Sequence, residues 1–444
     1  MASLLLASCR NKTLSAPSAS DGAVPRDAEA LLVDSSPLSP PRVFLAPPLS
    51  AARVKGATVV AARERGGTGL VLSTYFDTAP ADPVISRLGA VPEDSELITA
   101  AGDLGLLSRE HGDGGSRRLL YRIAPDADAA LLVGDPIAVG DAVCATLDGV
   151  HWLVREGSGF KGWLRPVGTA GSDVIAGPTA ASQSEMTLVC GGHRAFLAST
   201  VEGQVRVIAW SRSEHDASAE FRPVSIPKPP LSKLPDDMLM GAMDDRLALV
   251  ALEAKAIAVA IYRPDEAATR WQKVMLAADD EATLEAIEPD SGKIGLLLLR
   301  TVPRAKGCRG GEANDTVAEV AIFDVETGKL VRPAERIETW RCAAEPGPFF
   351  SGWAAGMFVI GWPRGADSAC AHAGVRWGGL GFAVVDPAGG HARVGHTGPS
   401  GDTIAEVGCD ALKCYAAVLT RGSDPCGPAD SPEAGKLEIV SYPP

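Results

Sequence analysis

Short runs of apolar residues, separated by turn residues, recur along most of the chain. Three clear examples are Leu247-Ala-Leu-Val-Ala-Leu, Ile294-Gly-Leu-Leu-Leu-Leu and Met357-Phe-Val-Ile. A continuous apolar run of four to eight residues between turns is typical of a strand that is buried on both faces. The three-to-four-residue spacing of an amphipathic helix is essentially absent. The pattern therefore predicts an all-β protein.

Each apolar run follows a tight turn, and this turn is the clearest marker of a repeat. The turns contain Asp or Gly, because hairpins need positive φ angles or local side-chain hydrogen bonds. They fall at Asp103-Leu104-Gly105, Asp148-Gly149, Gly191-Gly192, Asp244-Asp245, Asp290-Ser291-Gly292, Ala355-Gly356 and Cys409-Asp410. The strands before the turns hold small residues, as in Ala142-Val-Cys-Ala-Thr and Thr403-Ile-Ala-Glu-Val. Small residues suit the innermost strand of a propeller blade, where neighbouring sheets crowd around the axis.

The repeat unit is roughly 45–60 residues long and holds about four strands, a period that indicates a propeller or a solenoid. Full units are predicted at 95–139, 140–183, 184–235, 236–278, 279–338 and 339–399, with another blade at 57–90. Segment 400–444 supplies only three strands, so a strand from Leu31-Leu-Val or Val43-Phe-Leu is expected to complete it. We predict a β-propeller of eight four-stranded blades closed by this amino-terminal strand, with seven blades as the alternative.

The net charge argues against nucleic acid as a partner, and the hydropathy pattern argues against a segment that spans a membrane. The chain has 444 residues and a formal net charge of −13, and an acidic surface repels the phosphate backbone of nucleic acid. No stretch approaches the roughly 18 apolar residues that span a bilayer. The longest candidate, from Leu247 to Tyr262, is interrupted by Glu253 and Lys255. We expect a soluble, monomeric body that meets a membrane only through an anchor.

The amino terminus suggests what that anchor is. Leu6-Ala7-Ser8-Cys9 resembles the lipobox of bacterial lipoproteins, in which small residues precede the acylated cysteine. The resemblance implies a lipid on Cys9, export from the cytoplasm, and an outer-membrane, periplasmic or extracellular location. A basic segment before the apolar stretch is missing, and a start codon placed upstream would supply it. The predicted organisation is a signal remnant at 1–9, a flexible tether at 10–30 and one propeller domain at 31–444.

Export permits disulfides, and eight cysteines remain once Cys9 is set aside. Cys308, Cys370 and Cys426 fall in loops between second and third strands, and Cys342 falls between two blades. The repeat plan places all four on one rim, where Cys308–Cys342 and Cys370–Cys426 are the pairings we favour among three connectivities. Cys409 and Cys414 flank a hairpin turn and form a further candidate pair. Cys144 and Cys190 lie on neighbouring inner strands at different heights, so burial as two small apolar residues is an equal alternative.

Aromatic residues gather in the seventh predicted unit. This unit contains Trp353, Trp362 and Trp377, in a chain with eight tryptophans. Stacked aromatic rings form platforms for sugars or peptides, so the three indoles are a candidate binding platform. Filling the core of a blade with long loops is the alternative interpretation.

No motif assigns the chain to a particular propeller family. Asp324-Val-Glu-Thr-Gly-Lys329 resembles a repeat motif of quinoprotein propellers, but it occurs once, and Arg332 stands where that motif has tryptophan. The seven histidines are scattered and no Cys-x-x-Cys pair occurs, so no metal site and no cofactor is predicted. The Gly-x-Ser-x-Gly spacing of a nucleophile elbow is also missing, so no catalytic residue is assigned.

Three functions remain. The first is a binding propeller of the cell envelope that recognises a protein or carbohydrate without catalysis. The second is an extracellular enzyme that processes carbohydrate or peptide, and the third is a docking platform in an envelope assembly. Convergent ionisable side chains in the axial channel would favour the enzyme, whereas a plugged, apolar channel would favour binding. The thin inventory of catalytic residues favours the first function.

Overall fold

The structure is a computed structural model. It describes residues 45–443 except for gaps at 55, 65–69, 89–93, 101–102, 113–114, 124–129, 133–136, 139–141, 157–158, 167–174, 182–185, 202–203, 213–218, 232–237, 254, 267–268, 277–281, 291, 304–313, 341–346, 366–376, 398–400 and 421–435. Within these ranges every regular element is a β-strand. No described helix is long and apolar enough to cross a membrane.

The strands fall into eight consecutive groups, which we call blades 1 to 8. Blades 1 to 4 comprise β1 Leu45–Val54, β2 Ala57–Glu64, β3 Leu70–Phe76, β4 Ala79–Leu88; β5 Asp94–Ala100, β6 Asp103–Gly112, β7 Gly115–Ile123, β8 Ala130–Leu132, β9 Ile137–Ala138; β10 Ala142–Ala145, β11 Gly149–Glu156, β12 Gly159–Pro166, β13 Ile175–Ala181; β14 Met186–Gly191, β15 Arg194–Val201, β16 Gln204–Arg212 and β17 Ala219–Ile226. Blades 5 to 8 comprise β18 Met238–Met243, β19 Arg246–Glu253, β20 Ala256–Tyr262, β21 Trp271–Met275; β22 Ala282–Asp290, β23 Lys293–Pro303, β24 Asn314–Asp324, β25 Lys329–Trp340; β26 Phe350–Ala354, β27 Met357–Gly365, β28 Trp377–Val385, β29 Arg393–Thr397; β30 Gly401–Cys409, β31 Cys414–Thr420 and β32 Lys436–Tyr442.

Each blade is an antiparallel sheet in which consecutive strands pair, except in blade 2, where β8 and β9 both pair with β7. Blades 1 to 6 form separate sheets, and blades 7 and 8 share a sheet through one residue pair, Trp377 with Gly401. The first strand of each blade contacts the first strand of the next, and β30 contacts β1. These eight first strands are therefore the inner strands of a closed ring, as an eight-bladed propeller requires.

The core lies between neighbouring blades. Val250 of blade 5 packs with Leu296 and Phe323 of blade 6 in one such cluster. Phe358 and Trp362 of blade 7 pack against blade 6 in the next. Because each middle strand contacts a neighbouring blade on both faces, its sequence is continuously apolar, which explains the runs seen in the sequence.

The predicted fold class is confirmed, and most predicted unit boundaries lie within a few residues of the observed ones. The first blade differs, because it begins at Leu45 and not at residue 57. Leu45, the last residue of the Val43-Phe-Leu candidate, pairs with Glu64 inside blade 1, whereas Val43 and Phe44 lie outside the described residues. The other candidate, Leu31-Leu-Val, lies outside the described residues. Asp103 pairs with Ala100 at the start of β6, so Asp103 belongs to a strand and not to the predicted turn.

Turn chemistry explains the remaining hairpins. Asp244 and Ala355 have positive φ angles of 49° and 52°. Gly192 and Gly356 also have positive φ angles, of 53° and 72°. Glycine and aspartate tolerate this region, whereas alanine is strained there. The turn dipeptides seen in the sequence therefore mark the inner hairpin of each of these blades.

The ring closes at a seam between blade 1 and blade 8. Arg53 of β1 donates hydrogen bonds to Asp77 at 2.8 Å and to Asp410 at 3.2 Å. Its guanidinium also lies 4.6 Å from the centre of the Tyr415 ring, and the Tyr415 hydroxyl donates to Asp410 at 2.7 Å. Apolar contacts from Val60 to blade 8 complete the seam.

Candidate functional site

Three consecutive inner strands, β22, β26 and β30, bring polar side chains together inside the ring. The Ser351 hydroxyl of β26 donates a hydrogen bond to Oε1 of Glu288 on β22 at 2.9 Å. The Trp353 indole Nε1 donates to the backbone carbonyl of Glu288 at 2.8 Å. Two hydrogen bonds therefore hold the inner strand of blade 7 against that of blade 6.

The alternation of side chains along each strand fixes where the two carboxylates point. Ile287 packs towards blade 5, so Glu288 faces blade 7. Val407 packs towards blade 1, so Glu406 also faces blade 7, from the opposite side. Both glutamates are half-buried. The two carboxylates thus approach the same inner strand, β26, from both of its neighbours.

A tyrosine from the last strand completes the cluster. Tyr442 is 1% exposed, and its ring lies on Gly361, which pairs with Phe350 directly before Ser351. A Cβ atom at Gly361 would stand 2.8 Å from a ring carbon of Tyr442 and 3.3 Å from its hydroxyl oxygen, so only glycine leaves room for this ring. We call Glu288, Ser351, Glu406 and Tyr442 the inner carboxyl site.

Burial and mutual repulsion make both carboxyls hold protons near neutral pH. Burial raises the pKa of Glu288 to about 7, against a smaller lowering by the Ser351 hydroxyl. Burial and the charge of Glu288 raise the pKa of Glu406 to about 8, while a backbone hydrogen bond from Ser351 lowers it. Burial and both carboxylates raise the pKa of Tyr442 well above its usual value. The phenol therefore lies within electrostatic reach of both acids.

The site resembles an acid–base pair more than a metal centre. Within the described ranges no three His, Cys, Asp or Glu side chains gather as metal ligands. Two carboxyls in one site that titrate near neutral pH are a pattern of functional sites, because such values are costly to maintain in an ordinary core. A separate cavity of about 230 Å³ in blade 4, lined among others by Met186, Ser199 and Arg206, contains no such pair.

The structure describes four of the nine cysteines, and these four form two disulfides. Cys409 and Cys414 face each other across the β30–β31 hairpin and are joined by a disulfide. Cys144 and Cys190 form a second disulfide, with their Cα atoms 5.7 Å apart. The sequence placed the two cysteines at different positions along their strands, but in the structure they lie side by side. The Leu147 backbone N–H donates to the Gly192 carbonyl, and this bond aligns the turns that follow the two strands. The proposed lipidation site Cys9 and the rim residues Cys308, Cys342, Cys370 and Cys426 lie outside the described residues.

Two of the three indoles of the expected aromatic platform are described. Trp362 is 1% exposed and packs in the core between blades 6 and 7, so its indole is not available to a ligand at the surface. Trp353 is half-buried and anchors Glu288 through its indole nitrogen. The side chain of Trp377 is outside the described set. The interpretation as core filling therefore applies to Trp362.

Two further polar residues, His193 and Asp324, make hydrogen bonds in turns. His193 Nδ1 lies 2.7 Å from Asp148 Oδ1, and the His193 backbone N–H donates to Asp245, so this histidine links the turns of blades 3, 4 and 5. Asp324 accepts the backbone N–H and the hydroxyl of Thr327 at 2.8 and 2.7 Å, which lowers the pKa of this carboxyl. The Asp-x-x-Thr-Gly segment is thus a capped turn.

Sequence reasoning missed the inner carboxyl site, although a signal for it was present. Inner strands are made of small and apolar residues, so a glutamate within one of them is anomalous. Glu406 stands in the strand Thr403-Ile-Ala-Glu-Val, and Glu288 stands two residues before its turn. The convergence of the two on β26 depends on strand register, which the sequence leaves undefined.

Comparisons with known proteins add a likeness at the level of overall shape. No family model and no curated protein matches the chain. Similar solved structures include a prolyl endopeptidase, with 12% identity, a TM-score of 0.46 and coverage of 86% of this chain and 54% of that chain. Oligopeptidase B from Trypanosoma brucei is 9% identical, with a TM-score of 0.49 and coverage of 86% of this chain and 55% of that chain. The propeller domain of the trilobed protease from Pyrococcus furiosus is 8% identical, with a TM-score of 0.43 and coverage of 79% of this chain and 96% of that chain.

The chain spans about half the length of the first two of these structures. With identities of 12% or less and TM-scores below 0.5, the likeness carries no argument about activity. The assignment as a propeller rests on the strand order and on the ring of inner strands described above.

Proposed function

We propose that this chain is a ligand-binding propeller of the bacterial cell envelope, held to a membrane by a lipid on Cys9. Its ligand binds at the inner carboxyl site. The observation that carries this proposal is the convergence of Glu288 and Glu406 on Ser351, between the inner strands of three consecutive blades. Both carboxyls face the neighbouring strand β26 and not the axial channel, where convergent ionisable groups would favour an enzyme. A rigid scaffold that gathers a few polar groups in its interior is a common form of ligand site.

A thermal-shift screen tests this function. A ligand that binds only the folded protein raises the melting temperature by mass action, so peptides and oligosaccharides can be compared directly. We expect at least one of these classes to raise the melting temperature of the wild type but not that of a Glu288→Gln/Glu406→Gln variant. Glu326→Gln, an exposed substitution in a turn of blade 6, is the matched control and should respond like the wild type. Equal shifts in the double variant, or no shift from either class, would contradict the proposal.

A second candidate function uses the same residues for chemistry. An acid–base mechanism needs one protonated and one ionised carboxyl, and a pair with pKa values of about 7 and 8 supplies both forms near neutral pH. This observation favours the processing of peptide or carbohydrate as the alternative. Turnover of a fluorogenic peptide or glycoside that disappears in Glu288→Gln and persists in Glu326→Gln would select it. Binding without turnover would leave the binding function.

A further inference from the structure

The inner carboxyl site combines two acids with an absence of nearby positive charge. Among the described residues, no lysine, arginine or histidine contributes to the pKa of Glu288 or Glu406. Each carboxyl instead acts on its neighbours as a negative group, and Glu288 raises the pKa of Glu406. An unpaired buried charge is costly, so the pair must either keep protons or receive a cation from outside.

Tyr442 provides an independent indication that the site awaits a ligand. Its side chain is 1% exposed, and both carboxylates act on its phenol. No described residue exchanges a hydrogen bond with its hydroxyl, although buried tyrosine hydroxyls normally have a partner. The ring packs on Gly361, and the charges of both carboxylates act on its phenol, so the hydroxyl belongs to the same cluster.

We infer that the inner carboxyl site binds a primary ammonium group, such as the amino terminus of a peptide or a lysine side chain. This inference rests on the proposed binding function and names the class of its ligand. An ammonium group brings one positive charge and three N–H donors, which match the oxygens of Glu288, Glu406 and Tyr442. Charge-assisted hydrogen bonds of this kind are about twice as strong as neutral ones.

A divalent metal fits the same oxygens less well. Calcium requires six to eight oxygen ligands, and magnesium requires near-octahedral coordination. The described residues offer two carboxylates here and no third acidic, histidine or cysteine ligand. A neutral ligand would bring no positive charge, so both carboxyls would have to keep their protons. An ammonium group balances one carboxylate while the other carboxyl keeps its proton, and its three N–H donors match the number of acceptors.

Calorimetric titration at pH 8 tests the inference. The probes are triglycine, N-acetyl-lysine amide, N-acetyl-triglycine and calcium chloride. Triglycine carries an amino terminus and N-acetyl-lysine amide a side-chain amine, so the two arms separate the sources of the ammonium group. N-acetyl-triglycine lacks any ammonium group and should not bind. We expect at least one amine to bind and its affinity to fall at least tenfold in Glu288→Gln and in Glu406→Gln, but to stay unchanged in Glu326→Gln.

Circular dichroism checks that each variant is folded. If either glutamine substitution fails to fold, Ser351→Ala provides a milder variant. Equal binding of triglycine and N-acetyl-triglycine, binding of calcium alone, or no binding of either amine would overturn the inference. If a neutral sugar or peptide binds instead and requires Glu288, the ammonium class is wrong while the proposed binding function stands. If every ligand binds equally well to the double variant, both proposals fail.

Discussion

The Ser351 hydroxyl donates a hydrogen bond of 2.9 Å to Glu288 across the boundary between blades 6 and 7. A donor to a carboxylate stabilises the ionised form, so this bond limits the rise in the pKa of Glu288 that burial causes. The backbone N–H of the same residue acts in the same direction on Glu406 of blade 8. One serine therefore moderates the protonation of two carboxyls from opposite sides of its strand.

Replacing this serine should shift the titration of its neighbour upwards. In Ser351→Ala the hydroxyl donor is lost, so we expect the pKa of Glu288 to rise above about 7. Carbon-detected NMR of glutamate carboxyls, or the infrared band of the protonated acid, reports the change. Ser211→Ala in blade 4 is a control that should leave the titration unaltered. An unchanged or lower pKa of Glu288 would show that the hydrogen bond does not form in solution.

The inner carboxyl site should make the fold less stable as the pH rises. Glu288 and Glu406 have pKa values of about 7 and 8 in the folded chain, above the value of 4.5 for an unperturbed glutamate. Between pH 4.5 and 8 the folded state therefore holds more protons than the unfolded state, and the free energy of unfolding falls as the pH increases. The loss is about 1.4 kcal/mol per pH unit for each extra proton held.

Urea unfolding between pH 6.5 and 8.5 checks this sign. The Glu288→Gln/Glu406→Gln variant should show a flatter dependence than the wild type. Measurements start at pH 6.5 because burial lowers the pKa of His151 to about 3, and this histidine adds stability as the pH rises from 3 to 6.5. A wild type that gains stability above pH 6.5 relative to the double variant would contradict the assigned protonation states.

The disulfide between Cys144 and Cys190 should stabilise the ring more than the one between Cys409 and Cys414. The first bond joins two blades and spans 46 residues, whereas the second closes a hairpin of five. Loop-closure entropy grows with the length of the closed loop, and removing a disulfide typically costs roughly 2–4 kcal/mol. We expect a loss in this range for Cys144→Ala/Cys190→Ala and a smaller loss for Cys409→Ala/Cys414→Ala. Chemical denaturation of both variants decides the order, and a larger loss for the hairpin pair would reverse it.

The seam between blades 1 and 8 should depend on Arg53. This guanidinium is 17% exposed and bonds to Asp77 and Asp410, so its loss breaks contacts that hold the two ends of the ring together. Hydrogen bonds to charged groups contribute about 1.5–3 kcal/mol each when partly buried. In Arg53→Met we expect faster amide exchange in β1 and β30, measured by mass spectrometry. Arg263→Met, which removes an exposed ion pair with Glu266, is the control and should leave this exchange unchanged.

The lipid anchor makes a separate prediction. If Cys9 carries a lipid, the protein expressed with its own upstream reading frame should sediment with membranes. A Cys9→Ser variant should remain in the soluble fraction or keep its leader. Mass spectrometry of the amino-terminal peptide gives the direct readout. An unmodified Cys9 behind an intact leader would contradict the anchor.

The fold was predictable from the sequence because its signals are local. Asp244-Asp245 and Ala355-Gly356 mark turns by their need for positive φ, and the runs from Leu247 and Ile294 mark strands buried on both faces. The site was not predictable, because Glu288 and Glu406 are 118 positions apart and meet only through blade order and register. The sequence left the Cys144–Cys190 bond undecided for the same reason, since its geometry depends on contacts between turns of different blades.

A crystal structure of the protein with triglycine, grown at pH 8, tests the central claim most directly. We expect the amino nitrogen of the peptide about 2.7–3.2 Å from an oxygen of Glu288 and from an oxygen of Glu406. The Tyr442 hydroxyl should lie within the same distance. A peptide bound elsewhere on the propeller, or two carboxylates too far apart to share one nitrogen atom, would contradict it.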